Sequence, residues 1–252
     1  MAVPHRHEIG DFTMSRSSGT RTTAAIVFID LTGFTGLSEE VGLDATHRML
    51  TRFHSIIGST TAAFGGRVAA RLGDGAMMIF SGCRSPDESA ARSVAACTDL
   101  VSRMTAWMSA GDEDRVPDGF RIGAHLGEVV MAELSHACDD EATPLGDVVN
   151  VAQRLLEVAK DRSAQIVLSE DLVRAAAPLV PGLVRNLRHR EQVPIRGRRK
   201  GISICLAHAL AFPHADPMAL LAEAVNEPGE IMVSGIRSAR NPHPLGRTRP
   251  SA

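Results

Sequence analysis

Cysteine is scarce and scattered in this 252-residue chain: Cys83, Cys97, Cys138 and Cys205 stand far apart and match no zinc-ligand spacing. They read as reduced thiols of a cytoplasmic protein, which excludes a disulfide framework and a structural zinc site. No apolar run approaches the roughly 18 residues that a membrane-spanning helix needs, so no integral membrane segment is expected. The first 21 residues are polar and lack the apolar core of a signal peptide. A long basic stripe is also missing. With 27 Lys and Arg against 29 Asp and Glu, and a formal net charge of −2, nucleic acid is not the expected partner. What is present is a hydrophobic fraction of 44%, enough for one core of ordinary size.

The composition divides the chain into an N-terminal arm at 1–21, one folded domain at 22–212 and a tail at 213–252. Met14, inside the arm, is an alternative start to Met1. The tail is punctuated by Pro213, Pro217, Pro228, Pro242, Pro244 and Pro250 and is expected to be partly or wholly disordered, above all over 237–252. Within the domain, β-branched and apolar residues predict a strand at 23–31. Met49, Leu50, Phe53, Ile56 and Ile57 follow helical spacing over 43–64. Strands at 68–72 and 76–80 flank Gly73-Asp74-Gly75, a hairpin signature. Ser85 as cap and Pro86 at the first position open a helix to about Ser109. A long strand at 120–133, a polar loop at 136–143, a helix at 145–160 and a strand at 164–168 follow. Two further strands lie within 184–209, around the turn 196–201. The order predicts an α+β fold: a ferredoxin-like βαββαβ core with an added helix–strand unit and a closing β-hairpin.

Two carboxylates stand out. Asp30 closes the apolar run Ala24-Ala25-Ile26-Val27-Phe28-Ile29, and Asp74 precedes the apolar run 76–80. Each sits at a strand end beside glycine, and neighbouring strand ends can bring such oxygens together. Hard divalent cations take ligands of this kind, and a pair of such cations supports phosphoryl chemistry. The plainer alternative makes Asp30 a helix cap and Asp74 a turn former.

Four segments occur in order: Phe28-Ile29-Asp30-Leu31-Thr32-Gly33-Phe34-Thr35, Leu72-Gly73-Asp74-Gly75, Arg121-Ile122-Gly123-Ala124-His125-Leu126-Gly127-Glu128 and Gly146-Asp147-Val148-Val149-Asn150-Val151-Ala152-Gln153-Arg154. On these, over about 23–209, the chain resembles the class III nucleotidyl cyclases, the adenylyl and guanylyl cyclase catalytic domains. The resemblance implies that two Mg2+ or Mn2+ ions are held by Asp30, Asp74 and the carbonyl of Leu31. It places Gly33, Phe34 and Thr35 on the triphosphate, with Gly73 also at the nucleotide. Asn150 would orient the ribose and Arg154 would bind the α-phosphate. Arg198 falls where family members often carry a lysine for the terminal phosphates, and Thr143 falls at a base-reading position. The implied reaction converts ATP to cyclic AMP and pyrophosphate, in a homodimer with shared active sites. Simpler readings stand beside these roles: Phe34 packed in the core, Asn150 on a helix surface, Arg154 in a surface ion pair, Arg198 in a solvated basic turn.

One position breaks the family pattern. The adenine-reading lysine, four residues before Asp74, is Ala70, and Ala70 equally lacks the glutamate of guanylyl cyclases. Arg71 is adjacent, but side chains alternate along a strand, so it reaches the same face only if a bulge shifts the register. Weak activity or relaxed choice between ATP and GTP is therefore expected. The alternative is a catalytically degenerate, cyclase-like module that binds nucleotide or regulates a partner. A diguanylate cyclase would need a Gly-Gly-(Asp/Glu)-(Asp/Glu)-Phe turn, which the sequence lacks.

Overall fold

The first strand, β1 (Thr20–Thr32), is apolar on both faces, and the fold covers both. The computed structural model describes residues 19–110, 115–132, 142–185, 187, 189–195, 198, 200–207 and 216–226. Most of the expected arm, Cys138, most of the polar loop and the segment 237–252 lie outside the described residues.

After β1 come α1 (Phe34–Val41), α2 (Leu43–Ala63), β2 (Arg67–Arg71), β3 (Gly75–Phe80), α3 (Pro86–Ser109), β4 (Gly119–Ala132), β5 (Thr143–Leu145), α4 (Asp147–Asp161), β6 (Ile166–Ser169), α5 (Glu170–Ala176), α6 (Pro181–Val184), β7 (His189–Val193), β8 (Ile202–Ala207) and α7 (Pro217–Asn226). The strands form one sheet in the order β2-β3-β1-β4-β6-β8-β7, with β5 on β4. Every pairing is antiparallel except β4 with β6. The run β4-β1-β3-β2, with its intervening helices, is the ferredoxin-like core read from the sequence.

Alternation along β1 sorts its residues between two layers. Ala25, Val27, Ile29 and Leu31 meet Met49 and Phe53 of α2 and Leu100 and Met104 of α3. Ala24, Ile26 and Phe28 face the other way, with Met77 and Ile79 of β3 and Val148 and Ala152 of α4. The same buried face of α4 carries Val151, Leu155 and Ala159, which join Val167, Val193, Ile202 and Ile204 of the later strands. Contact between α4 and the sheet is closest at Gly123, where a Cβ would lie 2.3 Å from the Leu156 nitrogen and 2.7 Å from the Ala152 oxygen. Only a residue without a side chain permits that approach.

Two local features were not anticipated. Thr143-Pro144-Leu145 forms edge strand β5, so α4 begins at Asp147 and not at Leu145. Helices α5 and α6 fill the stretch between β6 and β7. The start of α5 carries a cap: the Leu172 N–H donates to Ser169 Oγ at 3.3 Å. Beyond the domain boundary read from the sequence, α7 lays Leu221, 4% exposed, into the main core. No helix among the described residues is long and apolar enough to cross a membrane.

Candidate active site

Strand register brings the two acidic residues together. Asp30 pairs across the sheet with Gly75, and the Leu31 N–H donates to the Asp74 carbonyl at 3.0 Å. The turn between β2 and β3 is tight. Leu72 and Gly75 exchange hydrogen bonds of 2.8 and 3.4 Å, with Gly73 at φ 72° and Asp74 between them. A positive φ at the first central residue is the type II′ pattern of hairpins. A Cβ at Gly75 would stand 3.1 Å from Asp30 Oδ1, so this glycine leaves the space that the carboxylate overhangs.

Electrostatics report the same closeness. Burial first, and then the Asp74 charge, push the Asp30 carboxyl up to about 6 from an ordinary 3.8; Arg121, a backbone hydrogen bond at Leu31 and Lys160 work in the opposite direction. Arg121 is the cross-strand partner of Asp30 on β4. Two carboxylates in mutual repulsion favour any cation that lies between them. Among the described residues no group of three or more His, Cys, Asp or Glu could hold a metal. The donors here are two carboxylates and a backbone carbonyl, all hard oxygen. That set fits Mg2+ or Mn2+, which take one or two carboxylates and complete their shells with phosphate oxygens and water.

The next residues open α1. Gly33 caps it with φ 75° and no side-chain bond, so the first N–H groups of α1 stay available at the strand end that carries Asp30. Asp118 crowds Gly33: a Cβ there would come within 2.2 Å of its Oδ2. The Phe34 side chain packs against the main core, as the plainer reading expected, which leaves its backbone N–H for a ligand. Thr35 is exposed, and its carbonyl accepts from Ser38 Oγ at 2.8 Å.

The remaining predicted residues gather elsewhere. Helix α4 buries Val148, Val151, Ala152, Leu155 and Ala159, which leaves Asn150 exposed and Arg154 with 40% of its side chain in solvent. Arg154 Nη1 donates to both carboxylate oxygens of Glu157, at 2.7 and 2.6 Å. Arg198 pairs with Asp147 at 3.4 Å, and its N–H donates to the Ile195 carbonyl at 3.0 Å. Thr143 is exposed on β5. A cleft of about 280 Å³ is lined by Arg154, Glu157, Val158, Asp161, Pro194 and Ile195. A larger cleft of about 730 Å³, between α2 and α3, holds none of the predicted residues. Lys160 acts on Asp30 from the C-terminal end of α4, and Asn150 lies about 15 Å up that helix at 1.5 Å per residue. One chain therefore joins Asp30, Leu31, Gly33, Gly73 and Asp74 in one group. It holds Thr143, Asn150, Arg154 and Arg198 apart from that group.

The bulge that Arg71 would need does exist, but in the wrong place. Val68 pairs with Met78 and Ala70 with Met77, so Ala69 is the extra residue. Ala69 and Ala70 both pack toward Phe28 and Met77, the face that Asp30 continues. Arg71 opposes Ala76 on the helix-covered side. Arg71 therefore does not replace the missing lysine. Sequence reasoning also passed over Arg121, Lys160, Asp118 and His54, all of which border the Asp30 end. Arg121 opens the segment 121–128, but only the pairing register puts it opposite Asp30.

Comparison with known proteins agrees with this architecture. The model of the adenylate and guanylate cyclase catalytic domain matches residues 17–208, and the chain belongs to that family. An adenylate cyclase of Anabaena cylindrica is 27% identical over 187 residues, 71% of this chain and 35% of its own length. An uncharacterised protein of Mycobacterium bovis is 29% identical over 154 residues, 61% of this chain and 28% of its own length. The chain thus spans about a third of the length of these relatives. The crystal structure of the guanylyl cyclase Cya2 superposes with a TM-score of 0.62 at 22% identity, covering 75% of this chain and 92% of that one, a likeness of fold.

Proposed function

We propose that this domain is a nucleotidyl cyclase that converts ATP to cyclic AMP and pyrophosphate, with relaxed discrimination against GTP. The observation that carries the reading is the juxtaposition of Asp30 and Asp74, whose repulsion helps to raise the Asp30 carboxyl. Two Mg2+ or Mn2+ ions held by Asp30, Asp74 and the Leu31 carbonyl would supply charge neutralisation and lower the pKa of the ribose 3′-hydroxyl. In the reaction the 3′-oxygen bonds to the α-phosphorus, the bond to the pyrophosphate oxygen breaks, and the hydroxyl proton leaves to solvent. Open N–H groups at the start of α1 hold triphosphate oxygens. Arg154 meets charge developing on the α-phosphate, a task suited to a permanent planar cation. Asn150 orients the ribose, Arg198 contacts the terminal phosphates, and Thr143 borders the base.

The two groups of residues meet when a second copy brings its α4 face to the Asp30 end, and a twofold homodimer makes two equivalent sites. Leu72 beside Asp74 and Leu145 beside α4 are 54% and 46% exposed, apolar surface next to each half-site. Ala70 favours a second reading, a cyclase-like module that binds nucleotide without turning it over. Product analysis with ATP and GTP in Mn2+ separates the two. The first reading expects cyclic AMP, with a smaller yield of cyclic GMP. A dimer that binds nucleotide and yields neither product rejects it in favour of the second.

A further inference from the structure

We propose that His54 is a positioning residue that sets the Asp74 carboxylate for divalent-cation binding, by tying the β2–β3 turn to α2. The proposal rests on the carboxylate pair being the cation site. His54 Nε2 lies 2.8 Å from the Gly73 carbonyl, a contact that spans 19 residues of sequence. A carbonyl only accepts, so Nε2 carries the proton and donates it. The Gly73 carbonyl belongs to the same peptide plane as the Asp74 nitrogen. The Asp74 carbonyl in turn accepts from Leu31 at 3.0 Å. Asp74 is thus held on both sides, from α2 on one and from β1 on the other. With both neighbouring peptide planes fixed, its Cα–Cβ direction toward Asp30 is fixed too.

Two further observations separate positioning from general support. The hairpin closes by its own bonds between Leu72 and Gly75, so the turn forms without His54. The helix is anchored independently by Phe53, fully buried next to His54, and by Ile57. The histidine ring lies 5.1 Å from the Phe53 ring, tilted by 59°, which limits its swing. His54 Nδ1 is shielded from solvent and makes no hydrogen bond among the described residues. A shielded ring nitrogen without a partner is an unusual expense, tolerated where the other nitrogen has a task. Partners one step removed from a metal orient its ligands, and their loss commonly weakens binding ten- to a hundredfold.

The test measures Mn2+ binding by electron paramagnetic resonance on the full chain, with and without a non-cyclisable ATP analogue, alongside thermal unfolding and the Mn2+ dependence of turnover. Three variants decide: His54→Ala, His54→Phe, which keeps a ring but no donor, and His54→Gln, which keeps a donor. The expected result is roughly tenfold weaker Mn2+ binding in the first two, recovery to within about threefold in the third, and an unfolding temperature close to the parent in all. In turnover the loss falls on the KM for Mn2+ more than on kcat. Parent-like Mn2+ binding by His54→Ala, or equal losses in His54→Ala and His54→Gln, overturns the proposal. Asp74→Ala is the reference. If it keeps parental Mn2+ binding, the cation site lies elsewhere and both readings fall. If the parent binds Mn2+ through Asp74 yet forms no cyclic nucleotide, the cyclase reading falls, and the resonance data still decide the role of His54.

Discussion

The Asp30 end of the sheet and the outer face of α4 are built in different ways. At the Asp30 end the backbone does the placing. Strand pairing opposes Asp30 to Gly75, the Leu31 N–H holds Asp74, and the Asp30 carboxyl is pushed up to about 6 by burial and its acidic neighbour. On α4 the named residues are long or exposed side chains on a helix surface. Arg154 and Arg198 are engaged by carboxylates of the same helix, Glu157 and Asp147. The first region is poised electrostatically before any ligand arrives. The second waits with its cations in exposed ion pairs worth about 1 kcal/mol or less, easily exchanged for phosphate. Rigid placement suits the cation positions proposed above, and loosely held guanidiniums suit the proposed meeting with a second copy.

The sharpest way to break this comparison is to damage each region in a different chain. Asp30→Ala and Arg154→Ala should each lose on the order of a thousandfold in kcat, since each removes charge stabilisation present in the transition state. Mixed together they should regain up to a quarter of parental activity, measured as cyclic AMP formed by the mixed dimer, because one of its two sites is then intact. A stable mixed dimer with no recovery would place both regions in one chain's site. Next in size is Ala70→Lys. Ala70 faces the same side as Asp30, so a lysine there reaches the nucleotide side, and the ratio of kcat/KM for ATP over GTP should rise about tenfold, the worth of one charge-assisted hydrogen bond.

A smaller effect concerns protons. The Asp30 carboxyl titrates near 6 when folded against 3.8 ordinarily. Between those values the folded protein keeps a proton that the unfolded chain has given up, so stability falls as pH rises through that window. Cation binding needs the carboxylate, so Mn2+ affinity should rise as pH passes through about 6. Asp74→Asn removes one of the charges that raises Asp30 and should move the Asp30 midpoint toward lower pH, read by NMR titration of its side-chain carboxyl. Glu157→Gln is the mildest test. Loosening the partner of Arg154 should lower the KM for ATP by about twofold and leave Mn2+ binding alone, in keeping with the small worth of exposed pairs. An equal change in Mn2+ binding would show that the two regions are coupled within one chain.

Much of the fold was legible because its signals are local. The run 24–29 announces a strand covered on both faces, Ser85-Pro86 announces α3, and Gly73-Asp74-Gly75 announces a two-residue turn. The short elements were not legible. The proline in β5 argues against a strand anywhere but an edge, and α5 and α6 are too short for a periodic pattern to rise above chance. The motif alone leaves Phe34 open between triphosphate contact and core packing; its ring packs against the core, and its backbone N–H stays available to a ligand.

Local chemistry thus determined which residues make strands, turns and helices, and which carboxylates and cations stand at their ends, since periodicity and turn preference act over a few residues. Only the tertiary structure decided that Asp30 lies over Gly75, that the bulge at Ala69 leaves Arg71 on the far side, that α4 rests on Gly123, and that Arg154 is held by Glu157. Those outcomes depend on register and packing between segments tens of residues apart, where a shift of one position moves every side chain to the opposite face.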